Sequence, residues 1–412
     1  MQQSQGVRNR ASTDVPDGWT LRPFDEYLEP KGTARLPSVP QNQYLPRGRF
    51  PVVDQGASMI AGYTDDETIV HRDDLPLIVF GDHTRIFKFV DFPFATGADG
   101  TKLLKADPET VDPQFLYYAF RNLEIPSLGY SRHYSKLREK QIAAPCALDE
   151  QRAIARVLAT IEDRRDAEAK RVSSLHSLGA ATMAKLFGDG LRGEPLKQTA
   201  VGELPASWEV IRLEDVLEKM NYGTSVRCSL DPVGRPVLRI PNVVNEWIDK
   251  TEIKYADLSE AGGTAVALEP GDLLFVRTNG QRKYTGRSAL YRGDPPDSLF
   301  ASYLIRARLR HESILPEFAQ AFLSSTGRSQ ITSATKPTAD GKFNIDTQVL
   351  KALLLPLPPL EEQGQIVEVI RKLVASEKAA EAASRGWKTL FEAMLNGLMS
   401  GRVRSGETRA DA

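Results

Sequence analysis

Three short motifs of this chain occur twice in the same order, and this duplication limits the possible folds more than any other feature. The pairs are Pro16–Trp19 with Pro205–Trp208, Asp112–Phe115 with Leu315–Phe318, and Leu148–Gln151 with Leu360–Gln363. The separation grows from 189 to 203 to 212 residues, so the second copy contains insertions. Units of roughly 200 residues are too long for solenoid repeats and have the size of domains. The sequence therefore predicts two similar domains and a molecule with approximate two-fold symmetry.

The composition narrows the class of protein. The chain has 412 residues, of which 41% are hydrophobic and 26% charged, as in soluble globular proteins. It has no apolar run of membrane-spanning length and no signal-type N-terminus, so we expect a cytoplasmic protein without a membrane role. The two cysteines and five histidines show no metal-binding spacing, and we predict reduced thiols and no metal site. A net charge of −1 means that any nucleic-acid binding must depend on local basic patches.

Each unit is predicted to have an α+β fold, a globular part of mixed strands and helices followed by one long helix. Strand-like runs bounded by turn residues support the mixed class. These runs are Leu77–Phe80, Ile86–Val90, Val237–Ile240, Leu273–Val276 and Tyr303–Leu309. The expected boundaries are a disordered tail 1–15, a first domain 16–147, a helix 148–190, a linker 191–204, a second domain 205–358, a helix 359–402 and a tail 403–412.

Two heptad-like patterns predict that the long helices form an antiparallel coiled coil. Steps of four and three residues run from Ile154 to Leu186 and again from Ile366 to Leu398. Both patterns become polar near the middle, so an antiparallel pair could bring Arg165 opposite Glu377. Two separate amphipathic helices, each packed on its own domain, are the alternative.

A coiled coil of this kind would hold two domains at opposite ends of a spacer. A helix of 35–40 residues spans on the order of 55 Å. A B-DNA duplex also has approximate two-fold symmetry, and two half-sites separated by one helical turn lie about 34 Å apart. The geometry therefore favours a protein that reads DNA at two places.

The candidate DNA contacts in the second domain lie in a basic segment, 277–310, that follows a predicted strand. In DNA recognition, Arg side chains hydrogen-bond well to guanine and Asn side chains to adenine, while Lys and Thr commonly contact phosphates. A polar surface loop without a ligand has the same composition and is the alternative. The predicted contacts are Arg277, Thr278, Asn279, Arg282, Lys283, Tyr284 and Arg287, with Lys336 and Lys342 (beside Asn344) around the turn at Asp340-Gly341.

The first domain has fewer basic residues at the corresponding places. Its predicted DNA contacts are His83, Thr84, Arg85, Lys88, Lys102, Tyr130, Arg132 and Lys136. Asp82 beside His83 resembles a catalytic acid–base pair, but no nucleophile or third partner accompanies it. A hydrogen bond within the loop is the favoured interpretation.

No catalytic or cofactor motif is present in the sequence. It contains no phosphate-binding loop and no glycine-rich dinucleotide or S-adenosylmethionine fingerprint. Asp294-Pro295-Pro296 starts like the catalytic loop of an adenine methyltransferase, but Asp297 cannot stack on a flipped base as the aromatic fourth residue does. We interpret this segment as a surface turn and the chain as a reader without a catalytic site.

The same residues resemble the specificity (S) subunit of type I restriction–modification systems over nearly the whole chain. The motifs that carry this resemblance are Gly202–Pro205 through Trp208, Gly271–Leu274 with Arg277–Asn279, Gly286-Arg287, Asn344-Ile345, and Pro356–Gln363. The opening of the first helix, Ala144–Gln151, departs from the proline-rich form of the family.

The resemblance implies two target-recognition domains joined by an antiparallel coiled coil, each domain reading one half of a bipartite site in double-stranded DNA. It further implies two methyltransferase (M) subunits that bind S-adenosylmethionine and methylate adenine. Restriction-translocase (R) subunits would add cleavage that depends on ATP and Mg²⁺. The alternatives are a self-contained DNA methyltransferase, against which the missing motifs argue, and a coiled-coil scaffold without a DNA role.

Overall fold

The structure is a computed structural model that describes residues 15–33, 36–126, 132–257 and 264–404. The chain forms two compact units, one of residues 1–170 and 382–412, the other of residues 171–381. Each long helix therefore contributes one part to each unit. The predicted tails lie largely outside the described residues. No helix among the described residues is both long and apolar enough to cross a membrane.

The described residues of the first unit form nine strands. They are β1 (Trp19–Pro23), β2 (Phe50–Val53), β3 (Gly62–Thr64), β4 (Val70–His71), β5 (Leu77–Gly81), β6 (Phe87–Val90), β7 (Phe94–Thr96), β8 (Thr101–Leu104) and β9 (Gln141–Pro145). The helices are α1 (Pro113–Arg121), α2 (Tyr134–Arg138) and the start of α3 (Leu148–Gly188). One sheet has the order β3-β2-β7-β4 and another the order β6-β5-β8, while β1 pairs with β9. The buried strand β5 is central in its sheet and fixes where the loop after Gly81 begins.

In the second unit, the part of the chain that the structure describes forms fourteen strands. They are β10 (Leu196–Thr199), β11 (Gly202–Pro205), β12 (Glu209–Arg212), β13 (Leu217–Tyr222), β14 (Arg235–Leu238), β15 (Lys254–Ala256), β16 (Leu273–Val276), β17 (Thr278–Asn279), β18 (Ser288–Leu290), β19 (Leu299–Phe300), β20 (Leu304–Leu309), β21 (Lys336–Pro337), β22 (Phe343–Asn344) and β23 (Leu354–Leu357). The helices are α4 (Ile240–Val243), α5 (Pro316–Ser324), α6 (Arg328–Ala334), α7 (Thr347–Lys351) and α8 (Leu360–Met399), which extends into the first unit.

The sheets of the second unit repeat the plan of the first. The order β13-β20-β16-β18 surrounds the buried strand β16, and β12 pairs with β23 as β1 pairs with β9. Two smaller sheets have the orders β15-β14-β19 and β17-β22-β21. The segment predicted as a linker contains the hairpin β10–β11. The strand predicted through Ile240 ends at Leu238 because Pro241, in the first turn of α4, favours a helix start there.

The α+β class and the antiparallel pairing of the long helices are confirmed. In the first unit, Ile154 and Leu158 near the start of α3 share a core with Leu395 and Leu398 near the end of α8. In the second unit, Leu186 and Phe187 near the end of α3 share a core with Ile366 and Ile370 near the start of α8.

The suggested pairing of Arg165 with Glu377 is wrong. The guanidinium of Arg165 lies 4.8 Å from the ring centroid of Phe391 and donates to Glu162 at 2.9 Å. Glu377 lies beside Gly179 in the second unit. The register of the antiparallel helices places other residues opposite the two polar positions, and sequence periodicity alone does not fix that register.

Candidate nucleic-acid interface

In the second unit, the buried strand β16 ends at Val276 and places Arg277 at the start of the basic loop. The Arg277 guanidinium lies 4.7 Å from the ring centroid of Tyr222. Its Nη1 donates to the carbonyl of Ser302 at 3.4 Å, which uses one of the five N–H donors of the side chain. The side chain is half-buried. Arg277 is therefore oriented by a ring and a carbonyl, and the guanidinium retains donors for a ligand.

Both candidate segments of the second domain meet in one small sheet. Thr278 pairs with Asn344 and Asn279 with Phe343, while Lys336 pairs with Asn344 from the other side. A groove of about 510 Å³ lies between the basic loop and the hairpin β21–β22. Its polar lining includes Arg277, Asn279, Tyr303, Asp340, Lys342 and Asn344. The structure thus brings together residues that lie more than 50 positions apart in the sequence.

Two of the predicted arginines hold the loop in place. Arg282 donates through Nε to the carbonyl of Thr332 at 3.1 Å. Arg287 donates through Nη1 to the carbonyl of Val244 at 3.1 Å, and its guanidinium lies 5.0 Å from the ring centroid of Tyr284. These contacts give both arginines a structural role in the second unit.

The three predicted lysines of this surface are exposed. Lys283 and Lys336 are exposed, and the ammonium of Lys283 lies 4.9 Å from the ring centroid of Tyr284. Lys342 is exposed and donates to the carboxylate of Asp340 at 2.8 Å. Because long cationic side chains at a surface suit phosphate, these three lysines remain predicted backbone contacts.

Other basic residues of the segment 277–310 are neutralised inside the fold. Arg308 forms two hydrogen bonds with the buried carboxylate of Asp272, at 2.7 and 2.9 Å, and these bonds raise the pKa of its guanidinium. Arg306 is buried and donates to Asn221 Oδ1 at 2.7 Å. The basic character of the sequence segment therefore overstates the positive charge that the surface presents.

The segment Asp294–Asp297 is a turn, as expected. The hydroxyl of Ser298 donates to the carbonyl of Pro295 at 2.7 Å, and Asp294 forms an ion pair with Lys250. No group of three or more His, Cys, Asp or Glu side chains in the described part of the chain could hold a metal ion.

In the first unit, Asp82 follows the buried strand β5 and joins the two candidate segments of that domain. Its carboxylate accepts from the backbone N–H groups of His133 and Tyr134, both at 2.8 Å. The N–H of His83 donates to Gln55 Oε1 at 3.1 Å. Asp82 thus binds backbone amides, which agrees with the structural interpretation of the Asp82-His83 pair.

The prediction that Lys88 contacts DNA is wrong, because Lys88 has a structural role. It is 3% exposed, and its ammonium donates to the carbonyls of Asp54 and Ser58, the first at 2.7 Å. Burial lowers the pKa of the Lys88 ammonium. Because this cation holds the loop that contains Asp54 and Ser58, it offers no surface to a duplex.

The other predicted residues of the first unit lie around the same loop. Arg85 donates through Nη1 to the carbonyl of Ile125 at 2.9 Å, and Thr84 donates to the carbonyl of Gln55 at 2.6 Å. The ammonium of Lys102 lies 5.9 Å from the ring centroid of Tyr134. Arg132 is exposed, Lys136 pairs with Glu139 at 2.7 Å, and Tyr130 lies outside the described residues.

The two candidate surfaces occupy the same place in the duplicated plan. The N–H of His133 donates to the carbonyl of Asp82 at 2.9 Å, and the N–H of Ile345 donates to the carbonyl of Arg277 at 2.9 Å. In the first unit this bond joins the loop after β5 to the segment before β9. In the second unit it joins the loop after β16 to the segment before β23. Both domains therefore present the same pair of loops, with different side chains.

Sequence reasoning missed Tyr303, which is 59% exposed beside the groove. This tyrosine precedes a buried strand, and an aromatic residue at such a position is usually predicted to be in the core. It also missed Asp340 as a potential contact because an acidic side chain in a glycine turn is typical of any surface loop.

Comparison with known proteins gives consistent results. Residues 205–383 match the family model of the Type I restriction modification DNA specificity domain. The putative type I restriction enzyme MjaX specificity subunit of Methanocaldococcus jannaschii is 32% identical over 178 residues, which cover 43% of this chain and 42% of that protein. The type I restriction enzyme EcoKI specificity subunit of Escherichia coli is 29% identical over 231 residues, which cover 55% of this chain and 49% of the relative. The chain thus spans less than half the length of these two relatives.

Two wider matches extend over nearly the full chain. The type I restriction enzyme MjaVIII specificity subunit of M. jannaschii is 21% identical over 404 residues, which cover 95% of this chain and 94% of the relative. The crystal structure of the type I restriction–modification S subunit from M. genitalium superposes with a TM-score of 0.61 and 17% identity, covering 94% of this chain and 97% of the other. At this identity the superposition shows a shared fold.

Proposed function

We propose that this chain is a specificity subunit of a type I restriction–modification system and selects the DNA sequence on which partner subunits act. Each globular domain would read one half of a bipartite site in double-stranded DNA. The observation that carries the proposal is the pair of matched hydrogen bonds, His133 to Asp82 and Ile345 to Arg277, which set equivalent loops side by side in both units. Two domains of one design with different loop residues suit two half-sites of different sequence.

We infer the partners from the similarity to type I specificity subunits. Two methyltransferase subunits would bind S-adenosylmethionine and methylate adenine, one on each strand. Restriction-translocase subunits would use ATP and Mg²⁺ to move and cleave DNA. In this proposal the chain supplies base and phosphate contacts and has no catalytic role.

The test compares the purified full-length chain with the same chain co-expressed with the methyltransferase subunit of its host. Alone, the chain should neither bind S-adenosylmethionine nor methylate DNA. Together, the proteins should methylate adenine within a bipartite sequence. Methylation by the isolated chain would favour the self-contained methyltransferase, and a complex without sequence preference would contradict the proposal.

We further propose that the paired long helices set the spacing of the half-sites. Four residues inserted into each helix add about 6 Å and nearly keep the helical phase. Because DNA rises about 3.4 Å per base pair, the preferred spacer should lengthen by about one or two base pairs. Methylation of duplexes whose spacer varies by single base pairs measures this change. An unchanged optimum would show that another feature sets the distance.

A further inference from the structure

The hairpin β21–β22 has the shape of an element that enters a DNA groove. Its strands pair at Lys336–Pro337 and Phe343–Asn344, and residues 338–342 form the tip beyond the last paired residues. The neighbouring strand β17 pairs only as far as Phe343, so the tip extends past the small sheet. Strands lie about 4.8 Å apart, and the major groove, about 12 Å wide, admits a two-stranded ribbon.

The chemistry of the tip distinguishes base contact from phosphate contact. The Asp340 side chain is 60% exposed and accepts from Lys342 Nζ at 2.8 Å and from the hydroxyl of Thr338. These hydrogen bonds from Lys342 and Thr338 lower the pKa of Asp340 to about 2. At neutral pH the carboxylate is ionised and can only accept hydrogen bonds. Such a group is repelled by phosphates, whereas the amino groups of cytosine and adenine donate in the major groove.

The residues beside the tip include the cations that could contact the phosphates while the tip faces the bases. Lys336 and Asn344 are cross-strand partners, so their side chains lie on the same face of the ribbon. Arg277, on the adjoining wall of the groove, is oriented by Tyr222. A carboxylate at the tip with cations at the base suits a ribbon whose tip faces base edges while its flanks approach the phosphates.

We propose that residues 336–344 form a base-reading ribbon that enters the major groove of one half-site. The carboxylate of Asp340 accepts a hydrogen bond there from the amino group of a cytosine or an adenine. The inference rests on the proposed function and deepens it, since it assigns one element and one acceptor to the second half-site.

The experiment selects preferred sequences from a library of random DNA duplexes with the full-length chain in complex with the methyltransferase subunit of its host. Wild type should select a bipartite site with a defined sequence in the half read by the second domain. Asp340→Asn replaces an acceptor-only group by an amide that both accepts and donates. Discrimination at one position of that half should fall roughly 5-fold or more, and the other half-site should stay unchanged.

Glu368→Gln is the matched control. Glu368 is an exposed carboxylate in the same unit, with 56% side-chain exposure, and pairs with Lys372 at 3.4 Å. This variant should select the wild-type sequence, and thermal unfolding should show that both variants fold as wild type does.

Three results have distinct meanings. A wild-type complex that selects no sequence would overturn the proposed function itself. A wild-type bipartite site that Asp340→Asn leaves unaltered would overturn the ribbon alone. A uniform change of affinity for all sequences would place Asp340 near the backbone and would also overturn the assignment to a base.

Discussion

The two units share their contacts at the ends of the long helices and differ at positions farther from those ends. Near the start of α3, Gln151 Oε1 accepts from the N–H of Asp112 at 2.7 Å. Near the start of α8, Gln363 Oε1 accepts from the N–H of Leu315 at 2.8 Å. Both glutamines are buried, and each also donates to the carbonyl of a proline just before its helix. The repeated glutamine therefore fastens each helix to its domain in the same way.

An ion pair repeats at the same ends. Glu150 pairs with Arg404 at 3.1 Å in the first unit, and Glu362 pairs with Arg192 at 3.4 Å in the second. Both arginines follow the end of the other long helix. The indole N–H of Trp208 also donates to Glu362, at 3.2 Å.

Between these anchors, the packing of the helices differs between the units. In the first unit the ring of Phe391 lies against the guanidinium groups of Arg121 and Arg165, each 4.8 Å from its centroid. The equivalent position of the repeat, 212 residues earlier, is Gly179, which lies beside Glu377. One unit thus has an aromatic–cation cluster where the other has a glycine. Because the anchors are repeated and the positions between them are not, the ends form the common scaffold, and the helices pack differently between those anchors in the two units.

We expect the largest difference in stability between substitutions of Phe391 and of the equivalent Gly179. Phe391→Ala removes a buried ring and should lower the apparent free energy of unfolding of the first unit by about 3–5 kcal/mol. Gly179→Ala is the matched change at the equivalent position. Its new methyl group meets the flexible end of Glu377, which can move, so we expect a much smaller effect. Denaturant unfolding measures both, and equal losses would contradict the asymmetry.

The glutamine anchors should be equivalent. Gln151→Ala and Gln363→Ala each leave buried backbone groups without partners, at a cost of about 2–4 kcal/mol. The two losses in unfolding free energy should agree within about 1 kcal/mol. A large loss for one and none for the other would show that the repeated motif does different work in the two units.

A smaller effect is expected on DNA affinity from the second unit. Arg277→Ala should cost about 1–3 kcal/mol at one position of one half-site if the guanidinium contacts a base. A phosphate contact would instead weaken binding to all sequences. Arg212→Ala, an exposed arginine of the same unit, is the control. Unchanged affinity and selectivity for Arg277→Ala would place the groove outside the interface.

The smallest effect is expected from the first unit. Lys136 is partly exposed and paired with Glu139 at 2.7 Å, and we expect it to make one phosphate contact. Lys136→Ala should weaken binding to all sequences and make the logarithmic salt dependence shallower by about one unit. A selective loss at one base would make Lys136 a base-reading residue.

The sequence predicted the parts of the fold that depend on residues close together in the chain. Heptad spacing located both long helices, and the repeated Leu-Asp/Glu-Glu-Gln motif marked where each begins. It did not predict the register of the helices, because periodicity fixes which face packs and leaves open which residue it meets.

The candidate site was predicted less completely for a related reason. Arg277 and Lys88 each lie in or directly beside a buried strand, and only the tertiary contacts show that one is half-exposed while the other is held by two carbonyls. Whether a cation faces solvent or the protein depends on neighbours distant in sequence, such as Asp54 and Tyr222.

The most direct test of the account replaces residues 205–358 with the equivalent domain of a type I restriction–modification specificity subunit and determines the methylated sequence. The helices and their anchoring glutamines stay in place, so the complex should assemble. If each domain reads its own half-site, one half of the recognition sequence should change to that of the donor while the other half and the spacer remain. A change in both halves, or in neither, would contradict the account of two independent readers on a common scaffold.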